Sequence, residues 1–305
     1  MSATSYRVYD PLLGTWTSLV VTGAPGTWGT DGRLVSTPSN EVFATGSATS
    51  GSSNTVVNST KNWTVNQWCN YQVRIVSGSG IGQVKTILSN TSTTLTTSGS
   101  NFSPVPDNTS IYEITGNDDY LYLLGNNAVT MYRYSISNNS WSTIAPTTAR
   151  TGAPAAGMGA NWVSKTGDAG WADENDIKDG RYIYSFRGGA GALLDRYDIS
   201  GGTAGAGAWL PITYVGLVET FTTGTSYAAD GRYIYIKKDA TNRFFKYSVR
   251  GNYVEPLSTN LYPDGAGVIG DKLWLKKYQE SGVTKLTWLY SLRNTGTELH
   301  RLLLF

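Results

Sequence analysis

The chain has 305 residues, a formal net charge of +2 and only 15% charged residues, and it is rich in Gly (35), Tyr (20) and Trp (10). A single Cys excludes an intrachain disulfide, and a single His argues against metal sites and hydrolases that need two or three imidazoles. The small net charge gives no sign of a nucleic-acid binder.

The residue types of the chain favour β-structure throughout. Aromatic and β-branched side chains suit pleated surfaces, whereas Gly, Asn and Ser suit tight turns. No window of the sequence shows a helical apolar stripe bounded by capping residues, so we predict an all-β protein. Residues 1–10 show no signal-peptide pattern and no apolar run reaches membrane-spanning length, so we expect a protein made in the cytoplasm, away from membranes.

Two short strands are predicted at the N-terminus, at residues 6–10 and 14–19. Tyr, Val and Trp alternate in them with charged or small polar residues, as in a pleated pair. Their patterns are similar to the two outer strands of the repeated unit described below, without its two inner strands.

The composition of the chain changes at residues 50–116, where charged residues become rare and Thr, Ser and Asn dominate. Strand-like runs lie at 71–76, 83–88 and 93–97, and turns rich in Gly or Asn separate them. This spacing predicts a small antiparallel module inserted into the rest of the fold. Cys69, the single cysteine, lies just before the first of these runs and is expected to be a buried small hydrophobe.

The amino-acid sequence of this insert resembles a small module that recurs in structural proteins of tailed phages. The resemblance rests on four stretches in order, at residues 61–68, 78–83, 87–91 and 106–114. In that family the module decorates neck, tail and fibre components. The resemblance therefore implies membership in a virion and implies no chemical activity.

Four units with one shared pattern follow the insert, at residues 117–146, 179–212, 230–257 and 270–305. Each unit has two consecutive strands rich in aromatic residues. In the first three units a third strand follows, near a Trp or a Pro. In the looser fourth unit these strands are predicted at 270–275, 286–290 and 298–305. The units start roughly 40 to 60 residues apart, a spacing typical of propeller blades.

Three stretches of small residues precede the aromatic strands, at 157–160, 224–228 and 265–268. Innermost strands of a propeller crowd around its axis, where Gly and Ala leave room for neighbouring backbones. We therefore expect these stretches to form innermost strands.

Together the Tyr-x-Tyr strands, the Tyr-Asp or Tyr-Ser strands and the Trp strands resemble a kelch-like propeller. The resemblance implies an all-β ring of five or six blades. Residues 1–49 would form its first part, 50–116 the inserted module and 117–305 the remainder. The resemblance also suggests a copper oxidase of the galactose oxidase type. Those enzymes need two histidine ligands, so the single histidine of this chain excludes that activity.

The residue types present predict no catalytic or metal-binding site. Asp195 and Asp198 are candidates for a glycosidase pair, but they lie on one repeated strand instead of facing each other across a cleft. The acidic loop at 173–180 does not match a calcium loop, and His300 fits an ordinary strand residue. We expect no enzyme activity, no catalytic, cofactor-binding or metal-binding residues, and no cofactor.

The sequence thus predicts a structural component of a tailed-phage virion, at the neck, tail or capsid surface, acting as a rigid protein-docking platform. The alternative is a carbohydrate-binding receptor element, a fibre or spike head that grips a host-surface glycan. Other virion proteins are the expected partners, in several copies set by particle symmetry, with no specific nucleic acid and no membrane. Host attachment belongs to the alternative.

Two long loops rich in small residues, at 147–161 and 200–208, are the segments expected to contact those partners. If their contacts lie outside the chain, shortening either loop leaves the melting temperature nearly unchanged.

Overall fold

The computed structural model describes residues 6–26, 29, 32–36, 42–125, 128–155, 158–162, 182–189, 193–216, 219–229, 233–239, 241, 243–258, 272–280, 283–292 and 299–304. These residues contain β-strands, one turn of 3₁₀ helix at Thr203–Gly205, and no α-helix. The predicted all-β class is confirmed. None of the described residues forms a helix long and apolar enough to cross a membrane.

The strands are numbered in chain order. The first ten are β1 (Tyr6–Asp10), β2 (Thr15–Leu19), β3 (Arg33–Ser36), β4 (Val42–Ser47), β5 (Ser50–Ser52), β6 (Thr55–Val57), β7 (Gln72–Ser77), β8 (Val84–Asn90), β9 (Thr94–Thr97) and β10 (Ile111–Thr115). The next seven are β11 (Tyr120–Leu124), β12 (Met131–Ser135), β13 (Ser140–Ile144), β14 (Gly159–Trp162), β15 (Tyr182–Phe186), β16 (Leu194–Asp198) and β17 (Ala208–Ile212). The last eight are β18 (Val215–Gly216), β19 (Ser226–Ala229), β20 (Tyr233–Lys237), β21 (Phe244–Ser248), β22 (Tyr253–Ser258), β23 (Lys272–Glu280), β24 (Val283–Leu292) and β25 (Leu299–Leu304).

Four sheets form a propeller-like arrangement of blades. From inside to outside, blade 1 is β3-β11-β12-β13, blade 2 is β14-β15-β16-β17, blade 3 is β19-β20-β21-β22-β18 and blade 4 is β23-β24-β25. All neighbouring strands are antiparallel except the two-residue β18, which pairs parallel to β22. The innermost strands β3, β14, β19 and β23 lie side by side in that order. Arg33 joins three of the blades, because its Nε donates to the Met158 carbonyl (3.0 Å) and its Nη2 to the Thr225 carbonyl (3.2 Å).

The innermost strands approach one another so closely that a side chain is excluded at one point. A Cβ added at Gly159 on β14 would lie 2.6 Å from ring carbons of Tyr227 on β19. Two of the three stretches predicted to be innermost, 157–160 and 224–228, overlap β14 and β19, so the prediction is confirmed there. The third, 265–268, lies outside the described residues.

Gly159→Ala is expected to destabilise the ring by about 1–3 kcal/mol, because the methyl group must displace the Tyr227 ring or separate two blades. Urea-induced unfolding followed by tryptophan fluorescence measures the change. Gly26→Ala is the control, since a Cβ there meets no atom within 4 Å. Equal stability of both variants would contradict the close approach of β14 and β19.

One stacking contact repeats in all four blades. In each blade a basic side chain of the third strand lies over the first aromatic ring of the second. The pairs, with the distance from the charged group to the ring centroid, are Arg133 over Tyr120 (4.1 Å), Arg196 over Tyr182 (4.4 Å), Lys246 over Tyr233 (4.8 Å) and Arg301 over Trp288 (4.6 Å). These contacts align the four units residue by residue.

The alignment corrects the prediction for the fourth unit. Residues 270–275 were expected to match the Tyr-x-Tyr strand, but β23 lies beside β19 in the innermost position. The strand equivalent to Tyr-x-Tyr is β24, through Trp288 and Tyr290, and β25 is the third strand of the blade. The sequence pattern was misleading because Trp274 stands in a strand that also alternates aromatic and apolar residues.

The N-terminal strands β1 and β2 form a hairpin that matches the outer half of a blade. Their tilted pair Tyr9–Trp16 has ring centroids 5.0 Å apart. It repeats the pairs of the third and fourth strands in blades 1 and 2, Tyr134–Trp141 (5.1 Å) and Tyr197–Trp209 (5.2 Å). Among the described residues β1 and β2 pair only with each other.

The inserted segment forms a seven-stranded sheet in the order β4-β10-β7-β8-β9-β6-β5. Three of its strands, β7, β8 and β9, match the runs predicted at 71–76, 83–88 and 93–97. The sheet begins at β4, ahead of residue 50, because β4 pairs with β10 along its length. The segment leaves blade 1 after β3 and returns at β11, and these two strands are neighbours in that blade.

Candidate protein-interaction surface

Asp195 and Asp198, the candidates for a glycosidase pair, have different surroundings. Asp195 is buried between two guanidinium groups: Arg150 Nε donates to it at 2.7 Å, and Arg187 donates through Nε (2.6 Å) and Nη2 (2.7 Å). Burial lowers the pKa of Arg150 although Asp195 opposes this, and hydrogen bonding to Asp195 raises the pKa of Arg187. Asp198 accepts from the backbone N–H of Ser200 at 3.0 Å.

The buried Asp195 therefore has a structural role in blade 2. Arg150 also donates to Ser185 Oγ (2.9 Å) and stacks over Trp209, so one guanidinium joins the second, third and fourth strands. The strands position these groups, since Asp195 lies opposite Pro211 on β17 and opposite Ser185 on β15. Arg150 could not be predicted from the sequence, because its neighbours in the chain carry no repeated pattern.

Within the described part of the chain, no group of three His, Cys, Asp or Glu side chains could hold a metal ion. His300 lies in β25 opposite Ser291, as expected for an ordinary strand residue. The acidic loop at 173–180 lies outside the described residues.

The module is fixed to the ring through a loop that is longer in blade 2 than in its neighbours. In blade 1 the third-strand Tyr134 donates to Asn139 (2.5 Å), and in blade 3 Tyr247 donates to Asn252 (3.0 Å). In blade 2 the equivalent Tyr197 instead meets a longer loop and donates to the carbonyl of Ala206 at 3.3 Å. That loop contains the 3₁₀ turn, which lies against β8 of the module.

Asn70 is the centre of this junction. Its Nδ2 donates to the carbonyls of Ile199 (2.6 Å) and Gly205 (2.9 Å), and its Oδ1 accepts from Arg133 Nη1 (3.0 Å). Asn70 has a positive φ of 67°, which Asn tolerates better than most residues. One amide side chain thus bonds both blades 1 and 2.

Cys69 contributes to the same junction and is buried, as predicted. Its carbonyl accepts from Ser200 Oγ (2.9 Å), and its thiol donates to the Leu88 carbonyl (3.1 Å). A Cβ added at Gly205, whose φ is +69°, would lie 2.6 Å from Cys69 Cβ, so the contact requires glycine.

A cleft of about 180 Å³ opens beside this junction, between the module and blades 1 and 2. Polar groups of Asn70, Arg133 and Ser142 line it together with Tyr122 and Tyr197. Burial raises the pKa of Tyr122 to about 12, and it raises the pKa of Tyr197 as well, so both phenols are neutral at physiological pH.

The two loops expected to contact other proteins make contacts inside the chain. The loop at 200–208 bonds the module as described, and the described part of 147–161 bonds blade 2. Thr147 N–H donates to the Gly207 carbonyl (2.9 Å), and Ala155 N–H donates to the Arg187 carbonyl (2.7 Å). These hydrogen bonds favour a structural role for both loops, and with them we now expect that shortening either loop lowers the melting temperature.

Large exposed apolar side chains instead cluster on the N-terminal hairpin, which comprises β1, β2 and the turn at 11–14. Leu12 is 95% exposed, Leu13 73%, Trp16 65% and Val20, just after β2, 90%. An isolated two-stranded hairpin is marginally stable, and this one is anchored through Tyr6, whose ring lies 5.9 Å from that of Trp141 in blade 1. These strands were predicted from the sequence, but the exposure of their side chains was not.

No family model matches the chain, and no curated protein matches it. Among solved structures, one similar chain is a structural genomics protein of unknown function from Bacteroides thetaiotaomicron, at 12% identity and a TM-score of 0.36. That similarity covers 90% of this chain and 73% of the other. It carries no argument about function, and the blades described above rest on this chain's own strand pairing.

Proposed function

We propose that this protein is a structural component of a tailed bacteriophage virion, at the neck, tail or capsid surface, and acts as a rigid protein-docking platform. It would be assembled in the host cytoplasm, in several copies set by particle symmetry, with no enzyme activity and no cofactor. The resemblance of residues 61–114 to phage modules supports the location. The observation that best supports docking is the exposure of Leu12, Leu13 and Trp16 on the N-terminal hairpin.

We further propose that the ring is kelch-like, with five or six blades. The repeated stacking of a basic side chain over an aromatic ring supports blades of one ancestry. The N-terminal hairpin supports a fifth blade, because its Tyr9–Trp16 pair matches the outer halves of blades 1 and 2.

A hairpin variant combining Leu12→Ser, Leu13→Ser and Trp16→Ser tests the docking role. Because these side chains are exposed, the free energy of unfolding should change by less than about 1 kcal/mol. Incorporation into particles should fall about tenfold or more, since buried apolar anchors dominate most interfaces. Immunoblots of purified particles, scaled to the capsid protein, measure it.

A module variant combining Val65→Ser and Ile81→Ser is the control, because both side chains are exposed away from the hairpin. Its incorporation should match that of the unmodified chain. Particles that lack the protein altogether would refute the virion proposal. Normal incorporation of the hairpin variant would refute the role of the hairpin alone.

The alternative, a receptor element that binds a host-surface glycan, predicts a different result. A glycan array probed with the labelled protein would then give saturable binding to a defined sugar. We expect no such binding for a docking platform.

A further inference from the structure

The cleft of about 180 Å³ between the module and blades 1 and 2, here called the junction cleft, has walls from all three units. Asn70 belongs to the module, Tyr122, Arg133 and Ser142 belong to blade 1, and Tyr197 belongs to blade 2. Clefts that bind drug-sized molecules span about 300–1,000 Å³. The junction cleft therefore has room for a smaller molecule, which would contact the module and both blades at once.

Arg133 gives the junction cleft a positive charge in a fixed position. Its Nη1 donates to Asn70 Oδ1 at 3.0 Å, and its guanidinium lies over the ring of Tyr120 at 4.1 Å. These two contacts hold the plane of the guanidinium, which carries five N–H donors in all. Two parallel N–H groups of a guanidinium match the two oxygens of a carboxylate. Arg133 is therefore a pre-positioned donor for an anion.

Two buried phenols add hydrogen-bonding groups without adding charge. Tyr122 and Tyr197 are 1% and 2% exposed, with ring centroids 6.3 Å apart. The hydroxyl of Tyr122 accepts from Arg133, so its own hydrogen can be donated to a ligand. Tyr197 donates its hydrogen to the Ala206 carbonyl at 3.3 Å, so its oxygen can accept from a ligand. The pair thus offers one donor and one acceptor beside the guanidinium.

The charge inside the junction cleft is set by Arg133. The described residues that line it include no carboxylate. Asp198, at the end of the strand that carries Tyr197, turns its carboxylate into its own loop. There the Ser200 N–H donates to Oδ1 at 3.0 Å, and Oδ2 lies 2.9 Å from the position that a Cβ on Gly201 would take. The lining therefore favours a negatively charged ligand.

We propose that the junction cleft binds a small carboxylate that carries hydroxyl groups and is no larger than one sugar ring. Arg133 holds the carboxylate, and the hydroxyl groups of the ligand bond to Tyr197 and Ser142. One guanidinium balances one negative charge, so a carboxylate fits better than a doubly charged phosphate or sulfate. This inference goes beyond the proposed virion role and does not depend on it.

Isothermal titration calorimetry of the full chain with glucuronate tests the proposal. Glucose is the matched ligand, since it has the same ring and lacks the carboxylate. At constant ionic strength, glucuronate should bind at one site per chain, at least about tenfold more tightly than glucose. Because the ligand joins the module to the ring, a concentration about 100 times its dissociation constant should raise the melting temperature by about 3 °C or more.

Variants of the lining locate the binding. Arg133→Gln should weaken glucuronate binding at least about tenfold. The control is Arg196→Gln, because Arg196 stacks over Tyr182 at 4.4 Å in the equivalent position of blade 2 and does not line the junction cleft. It should bind glucuronate as the unmodified chain does. Tyr122→Phe keeps the ring and removes only the hydroxyl, so it should weaken binding about threefold or more even where Arg133→Gln fails to fold.

Three results would overturn the proposal: no saturable binding of glucuronate, equal binding of glucuronate and glucose, or equal losses in the Arg133 and Arg196 variants. Tighter binding of sulfate than of glucuronate would also overturn it, since the site would then select charge alone.

A disaccharide that ends in glucuronate identifies the source of the ligand. Weaker binding of the disaccharide supports a free acid, and equally tight binding supports the terminal sugar of a glycan. Because these titrations use the purified chain, their outcome is separate from whether particles contain the protein.

Discussion

Asp195→Asn is expected to lower the free energy of unfolding by about 3–5 kcal/mol, the largest effect of any single substitution considered for this protein. Arg150 and Arg187 both donate to this carboxylate, at distances of 2.6–2.7 Å. Removing the negative charge leaves two guanidinium groups close together in blade 2 with no counter-ion. The stability lost is then the cost of two uncompensated charges in addition to the lost hydrogen bonds.

Urea-induced unfolding at neutral pH measures the effect of Asp195→Asn. The control is an exposed ion pair, Lys246 with Glu255 at 2.8 Å, whose partners keep 25% and 40% of their side-chain surface in solvent. Glu255→Gln should cost less than about 1 kcal/mol, because solvent screens the pair. Similar effects of the two substitutions would show that Asp195 is not the buried counter-ion that its geometry indicates.

Deletion of residues 202–206 is expected to destabilise the chain by about 2–4 kcal/mol, through loss of the contact between module and ring. The deletion shortens the loop of blade 2 so that Tyr197 and Trp209 are spaced like Tyr134 and Trp141 in blade 1. It removes the Gly205 carbonyl that accepts from Asn70. The deletion also removes the Ala206 carbonyl that accepts from Tyr197 within blade 2, so a second change is needed to isolate the part of the loss that belongs to the junction.

A double-mutant cycle with Asn70→Ala gives that prediction its test. Asn70→Ala alone removes three hydrogen bonds and places Ala at a positive φ, so it should be destabilising as well. Because both changes break the same junction, the double variant should be destabilised by less than the sum of the two separate effects. Full additivity, or an unchanged melting temperature after the deletion, would mean that the loop does not hold the module.

Local patterns in the sequence predicted three strands of the module, β7, β8 and β9, and the second, third and fourth strands of the first three blades. The reason is that alternation of aromatic and small residues is set by the pleat of a single strand. The same argument predicted innermost strands at 157–160 and 224–228, since a crowded axis requires small residues, as the contact of Gly159 with Tyr227 demonstrates. It also predicted a buried Cys69.

The candidate surfaces were only partly predictable. The two strands of the N-terminal hairpin were recognised from their pattern, but nothing local distinguishes a covered Leu12 from one that is 95% exposed. The innermost strand of blade 4 was not predicted, because Lys272 and Trp274 were assigned to the wrong strand of the fourth unit. If a segment is assigned to the next strand position in a blade, the alternation of side chains along the segment stays the same. What changes is the set of residues that lie beside it on the neighbouring strands.

What the sequence determined by itself is therefore the class of the fold, its repeated units and the presence of an insert. These depend on the conformation of a few successive residues, which the side chains set directly. Only the tertiary structure decided that the loop at 200–208 holds the module and that Asp195 neutralises two arginines. Asn70 and Gly205 are 135 positions apart, and a contact over that distance depends on how all the intervening strands pack, not on the residues near either end.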